Sequence, residues 1–158
     1  FLNPNIAGAV VPKAPYHLLD MVSRLEGRRV AVAGESASVR AFASADPGKR
    51  RMTVLLWNYA CEIPEARASI ERARRESVRL RVEDAQRLFG GRAVALERWQ
   101  VDEATSNAFG LLQKGEKPDA RAELQRVDAA SLRIEKGALE AVFEVPPSSV
   151  CFLTLTAW

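Results

Sequence analysis

The first part of the chain combines a run of small apolar residues with a strongly apolar helical pattern. Residues 1–13 predict an irregular, partly packed segment. Apolar positions then recur at helical spacing over 14–25, with Pro15 in the first turn, where proline is favoured, and Gly27 just beyond the end. This pattern predicts a helix that is apolar nearly all round and therefore needs partners on more than one side.

The rest of the chain changes to short alternating or wholly apolar runs that are typical of strands. Residues 77–83 alternate apolar side chains with arginines, as a half-buried strand does. Residues 51–59 are apolar on both faces, which predicts a central strand covered twice. Turn signals such as Asp-Pro-Gly at 46–48 separate the runs. The predicted strands are 29–34, 38–45, 51–59, 77–83, 92–101, 139–145 and 150–156.

Three stretches depart from this rhythm. Residues 62–75 alternate in charge and predict a short solvated helix or a polar loop, and residues 102–115 predict a short helical excursion. Residues 116–137 are polar and loosely patterned, and no element is assigned to them. One helix followed by about seven short strands, without alternation of strand and helix, predicts an all-β fold, an antiparallel β-sandwich of about seven to nine strands.

Composition is typical of a single globular domain. The 158 residues are 47% hydrophobic and 27% charged. No apolar run approaches the ~20 residues that a membrane helix needs, and a net charge of +3 is too small to indicate a nucleic-acid partner. Because the first residue is Phe1 and not Met, we expect the chain to begin within a longer protein, and its location, bacterial cytoplasm or secreted, stays open.

Few residues suggest reactive chemistry. Cys61 and Cys151 lack the spacing of a metal site, and the sequence has no motif for a cofactor. Cys151 lies in an apolar strand pattern and is predicted to be a buried thiol, with a disulfide to Cys61 as the alternative. His17, the one histidine, is predicted to pack or lie at the surface rather than to activate a nucleophile.

Four segments, in this order, resemble the C-terminal region of one enzyme family. They read Pro-Lys-Ala-Pro-Tyr-His-Leu-Leu at 12–19, Val-Leu-Leu-Trp-Asn-Tyr at 54–59, Trp-Gln-Val-Asp-Glu and Ser-Asn-Ala between 99 and 108, and a final hairpin at 137–155 with two prolines before its last strand. The resemblance is to glycoside hydrolase family 39, the β-xylosidase and α-L-iduronidase group. Members of this family have a (β/α)8 barrel followed by a β-sandwich.

The resemblance implies a division of the chain and a role for it. Residues 1–27 would be an N-terminal segment with a barrel-derived helix, and residues 28–158 a β-sandwich accessory domain. Neither catalytic glutamate motif of the family is present, so the chain as it stands is predicted to be no enzyme. Its expected partner is the catalytic barrel of the same parent protein. The remaining acids, which are predicted to lie at the surface, are Glu97, Asp102, Glu103, Glu140 and Glu144.

Residues expected to face that barrel lie on the predicted helix and in one later loop. They are Tyr16, Leu18, Leu19, Met21, Val22, Leu25 and Asn107. For Asn107 the alternative is a local role, since asparagine often satisfies nearby backbone groups. Asp102 and Glu103 are expected to cap the short helix that follows them. A homo-oligomer is left open.

Two alternative functions remain. The first is a carbohydrate-binding module, in which sugar rings stack on exposed aromatic faces. Its candidates are Tyr59, Trp99 and Trp158, whereas Trp57 lies in the doubly apolar strand and is expected in the core. The second is a surface for an anionic polymer on the arginine-rich stretch 72–81, although acidic residues interrupt that stretch.

Overall fold

The computed structural model describes residues 2–6, 9–36, 38–59, 74–91 and 93–157. The predictions for Cys61, Trp158 and most of the stretch 62–75 lie outside the described residues. The strands are β1 Leu2–Ile6, β2 Ala9–Pro12, β3 Arg28–Val30, β4 Val39–Asp46, β5 Arg51–Asn58, β6 Glu76–Val82, β7 Ala93–Val101, β8 Gln125–Glu135, β9 Ala138–Val145 and β10 Ser149–Ala157. The helices are α1 Ala14–Ser23, α2 Ala85–Phe89 and α3 Ala108–Gln113, with a 3-10 turn at Ala120–Ala122.

Eight of these strands form one continuous sheet in the order β3-β4-β5-β10-β7-β8-β9-β6, and β1 and β2 form a separate hairpin. The predicted all-β, antiparallel class is confirmed. The sheet is continuous because β8 pairs with β7 over most of its length and with β9 at its last two residues. β9 then leaves β8 and pairs with β6. One curled sheet therefore stands where the sequence predicted the two sheets of a sandwich.

The main core lies inside the curl and takes aliphatic side chains from both ends of the sheet. Val54 and Leu56 of β5 and Leu153 of β10 share one cluster with Leu139 and Val145 of β9, and none of the five is more than 4% exposed. Burying such a side chain contributes about 1.5–3 kcal/mol. Contacts of the central strands β5 and β10 with β9 thus hold the curl in place.

The outer face of the central strands is covered by α1. Leu55 and Phe152 point to this face, because successive side chains of a strand alternate between the two faces. They pack with Met21 of α1 and Val101 of β7 in a second cluster. The prediction that residues 51–59 form a central strand covered on both faces is confirmed, since β5 lies between β4 and β10 and is buried along most of its length.

The predicted helix is present and ends slightly earlier than expected. α1 has Pro15 in its first turn and ends at Ser23. Gly27 follows with a φ of +86°, and a Cβ at that position would lie 2.1 Å from the backbone oxygen of Ala45. Glycine is therefore required for the chain to pass so close to β4 before it enters β3. The descent of α1 from a barrel and the boundary at residue 27 stay predictions.

Other predictions of local structure are wrong. The segment at 1–13 is not irregular in its described part, because residues 2–6 and 9–12 pair as the β1–β2 hairpin. The predicted strand at 29–34 ends at Val30, and α2 was not predicted. Within 116–137 lies β8, a strand of 11 residues. Most of its side chains are exposed and it is held by its ladder with β7, so its sequence carries no clear apolar alternation.

Candidate interdomain surface

α1 has two unlike faces. His17 and Met21, one turn apart, point inward, and Met21 is completely buried in the outer cluster. On the other side Leu19 and Val22 face solvent, with Leu19 exposing 54% of its surface. An amphipathic helix normally turns polar side chains to water, so an apolar outer face on α1 indicates a second contact partner.

His17 anchors α1 to a neighbouring turn. Its Nε2 lies 2.7 Å from the backbone oxygen of Ala122, and the Tyr16 ring meets the imidazole edge-on with centroids 5.9 Å apart. Of the two placements predicted for His17, packing and the surface, the structure shows packing, because the side chain is almost fully buried. This bond fixes α1 against the turn at Ala120–Ala122.

The same turn holds α3. Ala108 and Leu111 of α3 pack on Ala122 in a small cluster of their own. The opposite side of α3 exposes Phe109, at 65%, and Leu112. We call the exposed apolar side chains of α1 and α3 together the helical surface. Its members are Tyr16, Leu18, Leu19, Val22, Phe109 and Leu112.

Asn107 begins α3 and has a local role. Its Oδ1 accepts hydrogen bonds from the backbone N–H groups of Phe109 (3.2 Å) and Gly110 (3.3 Å), as the first residue of a helix often does. Its Nδ2 donates to the backbone oxygen of Asp102 at 3.0 Å. The geometry therefore gives Asn107 the alternative role, that of satisfying backbone groups.

Of the residues predicted to face a barrel, the structure brings four together on the exposed side of α1, namely Tyr16, Leu18, Leu19 and Val22. Met21 does not face outward as predicted, because it is buried in this chain's own outer cluster. Leu25 also packs against that cluster. Sequence reasoning missed Phe109 and Leu112. A helix of six residues is too short for a clear periodic signal. The one available sign was that Phe109 and Leu112 are three residues apart and therefore share a face, one position along from the face of Ala108 and Leu111.

Asp102 supports a loop rather than a helix or a reaction. Its Oδ1 accepts from the backbone N–H groups of Ala104 and Thr105, both at 2.7 Å, and its Oδ2 accepts from Nε2 of Gln100 at 2.5 Å. The prediction that Asp102 and Glu103 cap the following helix is wrong, since Asn107 has that role. With its oxygens so engaged and its side chain buried, Asp102 stabilises the turn after β7.

The same network reaches the buried cysteine. Gln100 Oε1 accepts from Arg98 at 3.1 Å and lies 3.5 Å from Sγ of Cys151. Cys151 is a free, buried thiol, as predicted. Burial raises the pKa of this thiol to about 11, so it stays protonated and unreactive near neutral pH.

The other candidate acids lie at the surface or pair with arginines. Glu97 forms an ion pair with Arg126, and Glu140 lies 2.8 Å from Arg81. Glu103 and Glu144 are exposed. A retaining glycosidase needs two carboxyl groups about 5–5.5 Å apart in a cleft. These side chains have instead the solvated character that the sequence predicted.

The three candidate sugar-stacking aromatics have different environments. Trp99 is half-buried with its ring centroid 6.0 Å from that of Phe152, and it packs on the outer cluster with Trp57. Tyr59, just after β5, is 57% exposed. Trp158 lies outside the described residues. The structure does not bring Trp99 and Tyr59 into a described contact, and their role in sugar binding stays a prediction.

A groove runs along the open side of the curled sheet. One wall is β3 with the residues that follow it, and the other is β6 with α2. Its volume is about 800 Å³. Ala43, Val54 and Leu56 form a buried apolar floor, and Val78 and Leu80 form half-buried parts of the β6 wall. No sequence pattern predicts this groove, because its walls come from distant parts of the chain.

Neither a cluster of metal ligands nor a membrane-spanning helix occurs in the described ranges. There, no group of three or more His, Cys, Asp or Glu side chains could hold a metal ion. None of the helices in those ranges has the length and apolar character that crossing a membrane requires.

No protein-family model and no curated protein matches the sequence. Solved structures do. The GH39 enzyme from Xanthomonas axonopodis pv. citri has a TM-score of 0.68 at 14% identity, over 94% of this chain and 31% of that one. A monomeric β-xylosidase from Caulobacter crescentus CB15 has a TM-score of 0.64 at 17% identity, over 93% of this chain and 31% of that one.

A bacterial orthologue of human α-L-iduronidase is similar as well, with a TM-score of 0.68 at 13% identity over 95% of this chain and 28% of that one. The chain thus has the fold of one part of glycoside hydrolase family 39 enzymes, and the predicted resemblance is confirmed at the level of fold. It spans about 30% of the length of these enzymes.

Proposed function

We propose that this chain is a non-catalytic accessory domain of a glycoside hydrolase family 39-like enzyme, and that its helical surface packs on the enzyme's catalytic (β/α)8 barrel. The observation that supports this most is the apolar helical surface, where Leu19 and Phe109 are more than half exposed. In this proposal the boundary between the two domains lies near residue 27.

The energetic argument concerns exposed apolar area. Contiguous apolar patches on a folded domain commonly mark contact with another protein surface. Interfaces between domains of one chain usually bury about 600–1,500 Å². The two short helices are held against the same turn, α1 by the bond from His17 to Ala122 and α3 by packing on Ala122, and their exposed apolar side chains offer a surface of this kind.

The absence of a catalytic role is supported by the acids themselves. Asp102 is used by backbone groups, and Glu97 and Glu140 are paired with arginines. The isolated chain should therefore release no product from aryl β-xylosides or aryl α-L-arabinosides. Hydrolysis that follows the purified protein through every column fraction would overturn the proposal.

A charge placed on the helical surface tests the docking role. Leu19→Glu should leave the melting temperature of the isolated chain nearly unchanged, because Leu19 already faces water. In the full-length polypeptide that contains these residues, the same change should lower the melting temperature by several degrees. Gln86→Glu adds the same charge to an exposed position of α2 and should have no effect in either protein. Equal effects of the two changes in the longer polypeptide would argue against docking.

A carbohydrate-binding module is the second candidate, favoured by the exposed ring of Tyr59. The half-buried Trp57 and Trp99 oppose it, since a binding platform needs exposed rings. Affinity electrophoresis on xylan, arabinan and glycosaminoglycan gels decides the question. Retardation that Tyr59→Ala abolishes would favour the module, and unretarded migration on every gel would favour the accessory role. A homo-oligomer through the helical surface stays a prediction that the measured mass of the chain in solution would test.

A further inference from the structure

Within the part of the chain that the structure describes, the curled sheet does not close on itself. β3 and β6 are its two edge strands, and the apolar groove of about 800 Å³ lies between them. Half-buried side chains of Val78 and Leu80 on one wall and Val39 and Ala41 on the other pack against the main core and still border the groove. An apolar space of this size between two sheet edges is a candidate binding site.

The two edges are not equivalent. β3 covers only residues 43–45 of β4, and beyond that point the chain protects the edge of β4 itself. The N–H of Ala41 donates to Oε1 of Glu35 at 3.0 Å, and the N–H of Ser36 donates to the backbone oxygen of Val39 at 3.1 Å. β6 pairs on one side with β9, and among the described residues its other edge has no ladder partner. Such an edge is a template for another strand.

The groove has the size of a short strand. From a rise of about 3.3 Å per residue, a strand spacing of about 4.8 Å and a sheet spacing of about 10 Å, one packed strand residue occupies roughly 160 Å³. The volume therefore holds about five residues, slightly fewer than the 7 of β6. A small apolar molecule would fill the space but would leave the backbone groups of β6 without hydrogen-bond partners.

Charges at the groove indicate the composition of the added strand. The charged side chains that line it are Glu35, Arg40, Arg79, Arg81, Glu83, Asp84 and Arg87. Glu35 pairs with Arg40, and Arg81 pairs with Glu83 and Glu140. Two arginines, Arg79 and Arg87, and one acid, Asp84, are left without an ion-pair partner among the described residues, so the unpaired charge at the groove is net positive. A strand that turns apolar side chains to the floor and acidic ones outward would fit both features. Pairing with β6 of a second copy would instead bring arginines together across the ladder, which is destabilising.

We propose that an extended segment of the same polypeptide, outside these 158 residues, adds to β6 as a strand and fills the groove with alternating apolar and acidic side chains. This inference rests on the proposed function, in which the domain is joined to a larger enzyme. A strand of about five residues is too small for the ~1,200 Å² of a stable interface between separate proteins. Within one chain the effective concentration of the segment reaches the millimolar range, and a weak contact then suffices.

A synthetic heptapeptide tests this on the isolated chain. The probe alternates Val and Glu and has blocked ends, and its matched control alternates Val and Lys. At about 1 mM, the acidic peptide should slow amide hydrogen exchange of β6 several-fold, as measured by NMR, without slowing exchange at the helical surface. The Lys peptide should protect β6 at least threefold less, because Arg79 and Arg87 repel it.

Variants at exposed arginines sharpen the test. Arg79→Glu should reverse the preference between the two peptides, whereas Arg133→Glu, an exposed position on β8, should preserve it. The inference is overturned if neither peptide protects β6, if both protect it equally, or if β6 becomes protected with rising protein concentration alone. The helical surface and the groove share no residue, so the outcome of the Leu19→Glu experiment stands apart from this one.

Discussion

The helical surface and the groove are both apolar, and no described residue covers either, but they offer different groups to a partner. The helical surface is built from α1 and α3, whose backbone bonds lie largely within the helices, so it offers only side chains such as Leu19 and Phe109. The groove is concave and adds the free edge of β6 to its apolar floor. The first suits another folded surface, and the second suits an extended strand.

The largest expected effect separates the two faces of α1. Met21→Ala removes a completely buried side chain from the outer cluster and should lower the free energy of unfolding of the isolated chain by about 2–5 kcal/mol. Leu19→Ala should change it by no more than about 0.5 kcal/mol. Urea denaturation measures both. Similar losses would mean that the outer face of α1 is already packed.

The next effect concerns buried hydrogen bonds that join the central strand β5 to the residues just before β6 and at the end of β9. Asn58, at the end of β5, is buried, and its Nδ2 lies 2.6 Å from the backbone oxygen of Arg74 and 3.1 Å from that of Val145. Asn58→Ala leaves these oxygens without this donor and should cost about 1–3 kcal/mol of unfolding free energy. Asn107→Ala, which removes only the cap of α3, should cost about 1 kcal/mol. A smaller loss for Asn58→Ala than for Asn107→Ala would contradict this account of the curl.

Alkaline pH tests β10, the strand that lies between β5 and β7 at the centre of the sheet. β10 carries Phe152 toward α1 and Cys151 toward the inner core. Because burial raises the pKa of Cys151 from 9.0 to about 11, the folded state disfavours the thiolate. Stability is therefore complete below the unfolded pKa and falls as pH rises through the folded one. The test compares the Cys61→Ala variant, which keeps Cys151, with the double variant Cys61→Ala/Cys151→Ala. Between about pH 8 and pH 11, the variant that keeps Cys151 should lose about 2 kcal/mol more unfolding free energy than the double variant. Parallel pH profiles would show that the thiol is not desolvated.

The smallest effect concerns the protected wall of the groove. The hydrogen bond from the Ala41 N–H, followed by that from Arg40, lowers the pKa of Glu35 below 4.5. The contribution of Glu35 is therefore present above the unfolded pKa and is lost as pH falls through the lowered value. Below about pH 4 the melting temperature should fall slightly more for the wild-type chain than for Glu35→Gln. Glu135→Gln, an exposed control on β8, should behave as the wild type.

The sequence predicted what depends on local pattern. β5 and β10 are apolar on both faces because they lie at the centre of the sheet, and the apolar positions of α1 include those that the fold leaves exposed. β8 was not predicted, because its stability comes from pairing with β7 rather than from burial. The groove could not be predicted either, since it depends on the pairing of β6 with β9, about sixty residues away in the chain. The burial of Met21 could not be predicted for a related reason: both faces of α1 are apolar, so the sequence pattern does not show which face packs on the sheet.

Hydrogen exchange, measured peptide by peptide in the isolated chain and in the full-length polypeptide that contains it, tests the central claim most directly. Packing of the helical surface on a catalytic barrel and addition of a strand to β6 predict slower exchange of α1, α3 and β6 in the longer protein, with β10 equally slow in both. Unchanged exchange of all three elements would mean that neither surface is covered, and would contradict the account.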